Sequence, residues 1–212
     1  MVDLADAYCT VDELVAHNSA TSSAAVSVLE RAIKACTGGI SQYCSRNFSL
    51  TASTALLFAL DNAYEFDLGP FNDLVTLDAL ATDATGDGTF ETTWTSADWE
   101  LLPLNVASGP EQRPYTRIRA CGSKTFPYLA PGETGRTGRV RLTATWGWPA
   151  IPDAVRQACL LHSARIFNRK ESPQGVIGWG DFGAVRVRNT DPDVIDLLAD
   201  YRLGPRVAWV RI

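Results

Sequence analysis

The spacing of apolar residues near the start of the chain predicts two helices. Apolar side chains at positions 25, 29, 32, 33, 36, 40, 43 and 44 recur every three or four residues and form one stripe along a helix. Thr10 and Glu13 have the spacing of a capping box, which predicts a short helix running to about His17. Gly38-Gly39 interrupts the longer stripe, but the pattern continues in phase beyond it. We therefore expect a kink or a close helix contact at these glycines and not a helix end.

The middle of the chain has the pattern of strands. Short apolar or alternating runs are separated by Gly, Pro, Asn and Asp, which favour turns. In residues 139–146, Arg and Thr alternate with Val, Leu, Ala and Trp at a period of two, as in a strand with one buried face. The predicted strands are 55–60, 74–80, 89–95, 99–102, 116–120 and 139–146.

Helical patterns return after residue 150. Pro152 and Asp153 are typical of a first helical turn, and residues 154–170 follow with apolar side chains on most sides, which predicts a buried helix. Asp191 followed by Pro192 predicts another helix start, with an end near Tyr201. Between these helices, residues 184–188 alternate like a strand.

This order of elements predicts an α+β fold, a small helical bundle built from both chain ends with an inserted β-rich region. The predicted helical core comprises residues 1–50 plus 149–201, and the β-rich insertion comprises residues 51–148. Residues 202–212 form a predicted C-terminal docking tail.

Charge and composition narrow the possible functions. The chain is 46% hydrophobic with a net charge of −5, so it lacks the basic surface that tight nucleic-acid binding needs. It has no apolar run of about 18 residues that could span a membrane, and its start lacks the pattern of a secretory signal. Residues 1–135 hold 7 Lys/Arg and 17 Asp/Glu, whereas residues 136–212 hold 12 and 7. This asymmetry fits two ends that face different partners, although solvated faces would also produce it.

The five cysteines are interpreted as reduced thiols in a cytosol-like compartment. Their number is odd and no C-x-x-C motif occurs, which argues against a disulfide framework. Cys36, Cys44 and Cys159 fall within apolar helical patterns, where free cysteine behaves as a small hydrophobic residue.

Two glycine-rich segments superficially resemble nucleotide-binding motifs. Residues 178–183 match G-x-G-x-x-G but follow a predicted helix and precede a predicted strand, the reverse of a dinucleotide site. Residues 132–139 lack the Gly-Lys-[Ser/Thr] end of a phosphate loop. Both are interpreted as loops, and we expect no cofactor.

Catalytic and metal sites have weak support. His162 follows Cys159 by three residues, but a nucleophile also needs an open pocket and an orienting third group. Asp83, Asp87 and Glu91 could bind calcium, yet they lack EF-hand spacing, and a solvated turn is the simpler interpretation. The sequence therefore predicts a protein that binds other proteins and not an enzyme.

Two tryptophans stand outside the predicted core. Trp179 lies in a glycine-rich loop and Trp209 lies beyond the last predicted helix, positions where tryptophan commonly anchors an interface. The alternative is that each ring docks on the protein's own surface. The predicted loop interface comprises Gln174, Gly175, Val176, Trp179 and Phe182.

The C-terminal part of the chain resembles the head-to-tail adaptor (head–tail connector) proteins of long-tailed phages of actinobacteria. The resemblance is carried by residues 151–158, 164–170, 171–175, 183–187 and 191–194, with weaker agreement over 10–14 and 32–46. Together these segments cover a little under half of the chain. The β-rich insertion is not part of the resemblance.

The resemblance implies a ring, commonly of twelve subunits, that docks under the portal at the capsid vertex of a virion assembled in the host cytoplasm. It implies contacts with the head-closure or tail proteins and passage of double-stranded DNA through the ring, without membrane contact. The implied portal or neighbour interface comprises Tyr201, Arg202, Arg206, Val207, Trp209, Val210, Arg211 and Ile212. The alternatives are a head-closure or tail-completion protein and, from another class, a small hydrolase that uses Cys159 and His162.

Overall fold

A computed structural model describes residues 6–18, 25–60, 62–106, 111–128, 138–168 and 191–203. These residues contain four α-helices and two antiparallel sheets, so the predicted α+β class is confirmed. The chain divides into two compact units, a helical unit of residues 1–46 with 151–212 and a β unit of residues 47–150. None of the helices described is long and apolar enough to cross a membrane.

The first two helices begin and end close to their predicted positions. α1 spans Val11–His17, and its predicted capping box is present: Thr10 Oγ1 accepts a hydrogen bond from the Glu13 amide at 3.2 Å, and Glu13 accepts one from the Thr10 amide at 2.8 Å. α2 spans Val26–Cys44 and continues through Gly38 and Gly39. The expected close helix contact is wrong for the described residues, because a Cβ built on either glycine has nothing within 4 Å.

The remaining helices start at their predicted signals, Pro152-Asp153 for the third helix and Asp191-Pro192 for the fourth. α3 spans Asp153–Asn168, and α4 spans Pro192–Leu198 with the Asp191 side chain accepting the Asp193 amide at 3.1 Å. A 3-10 turn, Ala199–Tyr201, extends α4. The strand predicted at 184–188 lies outside the described residues.

The helical unit buries the apolar stripe of α2 against α3. α3 also contacts α1 and α4, so residues from before and after the β unit share one core. Two ion pairs link these helices: Arg156 lies 3.3 Å from Glu13, and Arg165 lies 3.1 Å from Asp191. The buried side chains include Leu14, Leu29, Ile33, Ile40, Val155, Ala158, Val194 and Leu198.

The β unit contains two antiparallel sheets. The larger has the strand order β1-β7-β3-β4 and the smaller has the order β2-β6-β5. The strands are β1 Thr51–Ala59, β2 Glu65–Asp67, β3 Leu74–Asp83, β4 Thr92–Trp94, β5 Trp99–Leu102, β6 Arg117–Ala120 and β7 Arg139–Trp146. The six predicted strands are therefore present, whereas the three-residue β2 was not predicted.

One apolar core serves both sheets. Val140, Leu142 and Leu80 from the larger sheet share it with Ile118 and Phe66 from the smaller one. The sheets are also joined by a backbone bridge between Leu74 and Tyr115. Trp94, Trp146 and Trp148 are buried, and the half-buried Trp99 packs against the shared core.

Candidate interaction surfaces

The first residues of the predicted docking tail lie against the C-terminal end of α2. Tyr201 is only 7% exposed, so its ring belongs to the interior of the helical unit. Arg202 is exposed, and its guanidinium lies 5.2 Å from the centre of the Tyr43 ring. The Leu203 amide donates a hydrogen bond to the Cys44 carbonyl at 3.0 Å. These contacts hold Arg202 and Leu203 against the end of α2.

Most of the predicted interface residues lie outside the part of the chain that the structure describes. Arg206, Val207, Trp209, Val210, Arg211 and Ile212 lie outside the described residues, as do Gln174, Gly175, Val176, Trp179 and Phe182. Their role as a contact surface stays a prediction.

The candidate nucleophile Cys159 lies in a cluster of buried thiols. Its sulfur is 3.3 Å from that of Cys9, and the Cys36 thiol donates to the Cys159 carbonyl at 3.5 Å. The hydroxyls of Thr37 and Ser163 each lie 3.9 Å from the Cys159 sulfur. All three thiols are buried, so in this conformation a substrate has no access to Cys159.

Hydrogen bonding within the cluster shifts the pKa values of its three thiols in opposite directions. The thiols of Cys36 and Cys9 donate toward Cys159, which lowers the pKa of Cys159 despite its burial. The pKa values of Cys9 and Cys36 are raised, first by the same hydrogen bonds to Cys159 and then by burial. Cys9 and Cys36 therefore hold their protons more firmly than a free thiol, and because both are buried neither is an accessible nucleophile.

The three acidic side chains considered as a calcium site do come together. The ligand oxygens of Asp83, Asp87 and Glu91 lie within 4.8 Å of one another. However, the Asp83 carboxylate already accepts hydrogen bonds from the amides of Gly86 and Gly88 at 2.6 and 2.8 Å. Burial would raise the pKa of Asp83, but these amides and the Arg139 guanidinium hold it below its usual value. This geometry organises the turn between β3 and β4.

The outer face of the smaller sheet is covered by ion pairs. Glu65 on β2 lies 2.6 Å from Arg117 and 3.0 Å from Arg119, both on β6. Arg119 also lies 3.3 Å from Glu100 on β5. Both edges of this sheet are therefore short and carry a charged side chain, which disfavours pairing with another strand.

The edge strand β1 differs from these strands. It has nine residues, Thr51–Ala59, of which seven are exposed and none is charged. Its inner side pairs with β7, and its outer side is unpaired among the residues that the structure describes. Leu57 is 55% exposed on this strand. The sequence interpretation predicted a strand here but missed the edge, although nine consecutive residues without charge, Gly or Pro were visible in it.

Comparison with known proteins identifies a fold relationship. No protein-family model matches the chain, and no curated protein matches it. Among solved structures, it is similar to a chain from the neck of an empty gene transfer agent (GTA) particle computed with C6 symmetry, with a TM-score of 0.52 and 25% sequence identity. This chain shares its fold with a protein of a phage-like neck.

The similarity covers 92% of this chain and 92% of the neck chain. That coverage cannot be reached without the β unit, which spans residues 47–150. The β unit therefore belongs to the shared fold, whereas the sequence interpretation treated it as an insertion without a counterpart. The match supports a structural role in a phage-like neck. It does not single out the adaptors of actinobacterial phages.

Proposed function

We propose that this protein is a structural subunit of a phage neck, a head-to-tail adaptor that forms a ring between the portal and the downstream neck or tail proteins of a virion. The observation that supports this most strongly is the similarity to a neck chain over 92% of both chains. The neck particle was computed with C6 symmetry, which rings of six or twelve identical subunits both satisfy. We infer a ring of twelve from the resemblance of residues 151–194 to adaptor proteins.

Residues 202–212 supply the contact with the portal. They contain three arginines and no acidic residue, and Val207, Trp209, Val210 and Ile212 provide apolar anchors. Arg202 and Leu203 are held against the end of α2, so the docking segment starts from a fixed point on the helical unit.

Double-stranded DNA passes through the ring without being held. Each Lys or Arg that contacts a phosphate adds affinity, so a subunit with a net charge of −5 suits a channel in which DNA must slide. The acidic balance is strongest in the β unit, where 12 Asp/Glu stand against 7 Lys/Arg in residues 47–150.

Co-assembly with the portal tests this function. Full-length protein mixed with purified portal should form a ring on the portal that electron microscopy resolves, and mass photometry should give its copy number. Deletion of residues 204–212 should abolish portal binding, and a thermal melt of the truncated protein checks that the subunit still folds. A variant with residues 204–212 in shuffled order controls for the composition of the segment.

Two outcomes would contradict the proposal. If the truncated protein bound the portal as well as the full-length protein, the docking role of residues 204–212 would be wrong. If the ring formed only on another neck protein and never touched the portal, the head-closure or tail-completion alternative would replace the adaptor.

A further inference from the structure

We propose that the free edge of β1 is a subunit–subunit contact of the ring, where a strand from a second copy of this chain continues the larger sheet. The inference rests on the proposed function, because it takes adjacent copies from the ring. It adds the surface through which those copies meet.

The length of β1 makes its outer edge a strong pairing site. Nine residues at about 3.3 Å each give an edge of about 30 Å. In its regular part, Thr54–Ala59, alternate residues direct both N–H and C=O outward. The inner side is held in register with β7 from Ala59 opposite Arg139 to Thr54 opposite Ala144, and a register shift separates Thr54 from the next pair, Thr51 and Trp146. The Trp146 indole N–H also donates to the Thr54 carbonyl at 3.1 Å, which fixes the strand in place.

Natural proteins normally protect an exposed edge with short strands, proline or charge. The other edge strands described here follow that rule: β2 and β4 have three residues each, and β5 has four and contains Glu100. β1 has neither a charged residue nor proline, and it exposes Leu57. In a monomer, an unprotected strand edge of this length would promote aggregation. The simpler explanation for the exposed edge of β1 is that another strand pairs with it in the assembled protein.

A second copy is the partner that the observations favour. The structurally similar neck chain belongs to a particle with rotational symmetry, so identical chains surround one axis there. Nucleic acid is disfavoured because β1 offers no positive charge. In a ring of more than two subunits the contact is heterologous, so β1 must meet a different segment of the next copy and not its own β1.

Register within the sheet provides a matched pair of variants. Ala55 on β1, Thr143 on β7 and Ala79 on β3 lie directly opposite one another across three strands. Ala55 and Ala79 are both exposed, so a lysine at either position should be tolerated by the folded subunit. Ala55→Lys adds charge at the free edge, whereas Ala79→Lys adds the same charge two strands inward.

We expect Ala55→Lys to reduce the fraction of chain in rings on the portal by about tenfold or more, because charge opposes edge pairing. Ala79→Lys should assemble like the unmodified chain, and all three proteins should melt at similar temperatures. If Ala55→Lys formed rings on the portal as well as the unmodified chain does, the edge contact would be wrong and the proposed function would stand. If both variants failed, the partner would cover the sheet face and not its edge, which also overturns the proposal.

Cross-linking tests the contact without requiring ring formation. With the photo-cross-linker p-benzoylphenylalanine in place of the exposed Leu57, a mixture of ¹⁴N- and ¹⁵N-labelled chains should yield mixed-isotope cross-links between copies. The peptide joined to position 57 would identify the segment of the neighbouring copy. Cross-links confined to one isotope, or to the portal alone, would show that β1 pairs within its own chain or with another protein, and the proposal would be wrong. Absence of rings in the presence of portal, with mixed-isotope cross-links retained, would count against the proposed function alone.

Discussion

The sulfur atoms of Cys9 and Cys159 lie 3.3 Å apart, although 150 residues separate them in the sequence. Cys9 immediately precedes the capping residue Thr10, and Cys159 lies in the middle of α3. Together with the ion pair between Glu13 and Arg156, this contact joins the N-terminal segment to a helix that follows the β unit. The stability of the helical unit should therefore depend on thiols from segments that are distant in the sequence.

We expect Cys159→Ala to reduce the free energy of unfolding of the helical unit by about 1 kcal/mol. The substitution removes a fully buried sulfur and leaves a small cavity, with a cost like that of deleting one buried methylene. Urea unfolding followed by circular dichroism under reducing conditions measures the change. Cys121→Ala, at a half-buried thiol in the β unit, should stay within about 0.5 kcal/mol. If both variants lost the same free energy of unfolding, the cysteine cluster would add no stability beyond that of an ordinary half-buried thiol.

Alkaline pH should weaken the helical unit through Cys44. Burial raises the pKa of this thiol from 9.0 to about 11, although the nearby Arg46 and Arg202 lower it. A raised pKa means that the folded state retains the proton longer, so the contribution is complete below about pH 9 and is lost as the pH rises to about 11. Cys44→Ala should remove this part of the pH dependence, on the order of 2 kcal/mol. The measurement is the difference in urea midpoint between the two proteins across that pH range, and a constant difference would contradict the assignment.

Gly147 should tolerate no side chain. Its φ is +102°, and a Cβ would lie 1.9 Å from the Ser49 carbonyl oxygen. Its amide also donates to the Asp73 carbonyl at 2.7 Å, next to the hydrogen bond from the Trp148 indole to the Asp73 carboxylate at 3.0 Å. We expect Gly147→Ala to cost more than about 3 kcal/mol or to prevent folding of the β unit, because backbone must move.

Gly122 is the matched control for backbone conformation. Its φ is +65°, but a Cβ there has nothing within 4 Å. Gly122→Ala should therefore carry only the cost of a left-handed conformation, about 1–2 kcal/mol. Similar thermal melts for the two variants would mean that the clash at Ser49 relaxes easily.

Local signals in the sequence predicted most elements of the fold. The capping box at Thr10, the Asp-Pro start at Asp191 and the alternation over Arg139–Trp146 each depend on neighbours within a few residues, and the structure confirms all three. β2 was missed because three residues are too few to show a period. At Gly38-Gly39 the helix continues as predicted, but of the two alternatives the close contact is absent among the described residues, because the cost of glycine in a helix does not reveal what lies opposite it.

The candidate surfaces depend on long-range relationships, which local patterns do not contain. β1 is an edge strand because β7 lies between it and β3, an order that reflects pairing across some 90 residues of chain. The cysteine cluster likewise gathers Cys9, Cys36 and Cys159 from three separate segments. The sequence could predict that Cys36 and Cys159 are buried, but not that they meet each other or Cys9.

Asp83 should stabilise the β unit in a pH-dependent manner. Its carboxylate accepts the Gly86 and Gly88 amides and lies 3.6 Å from Arg139, so its pKa is lowered from 3.8. A lowered pKa means that the contribution is present above the unfolded-state pKa and is lost as the pH falls through the folded-state value. Asp83→Asn should therefore melt below the unmodified protein at about pH 7, and the difference between the two melting temperatures should shrink as the pH falls below 3.8.

The neighbouring Asp87 provides the control for this prediction. It is exposed and accepts the Thr89 amide at 2.7 Å, so Asp87→Asn should change the melting temperature less than Asp83→Asn does. The same two variants also test the calcium interpretation of the turn. Because the Asp83 oxygens are already bonded to the protein's own amides, calcium chloride should leave the melting temperature of the unmodified protein unchanged. If calcium raised the melting temperature of the unmodified protein, and if both variants abolished that rise, the turn would instead be a cation site.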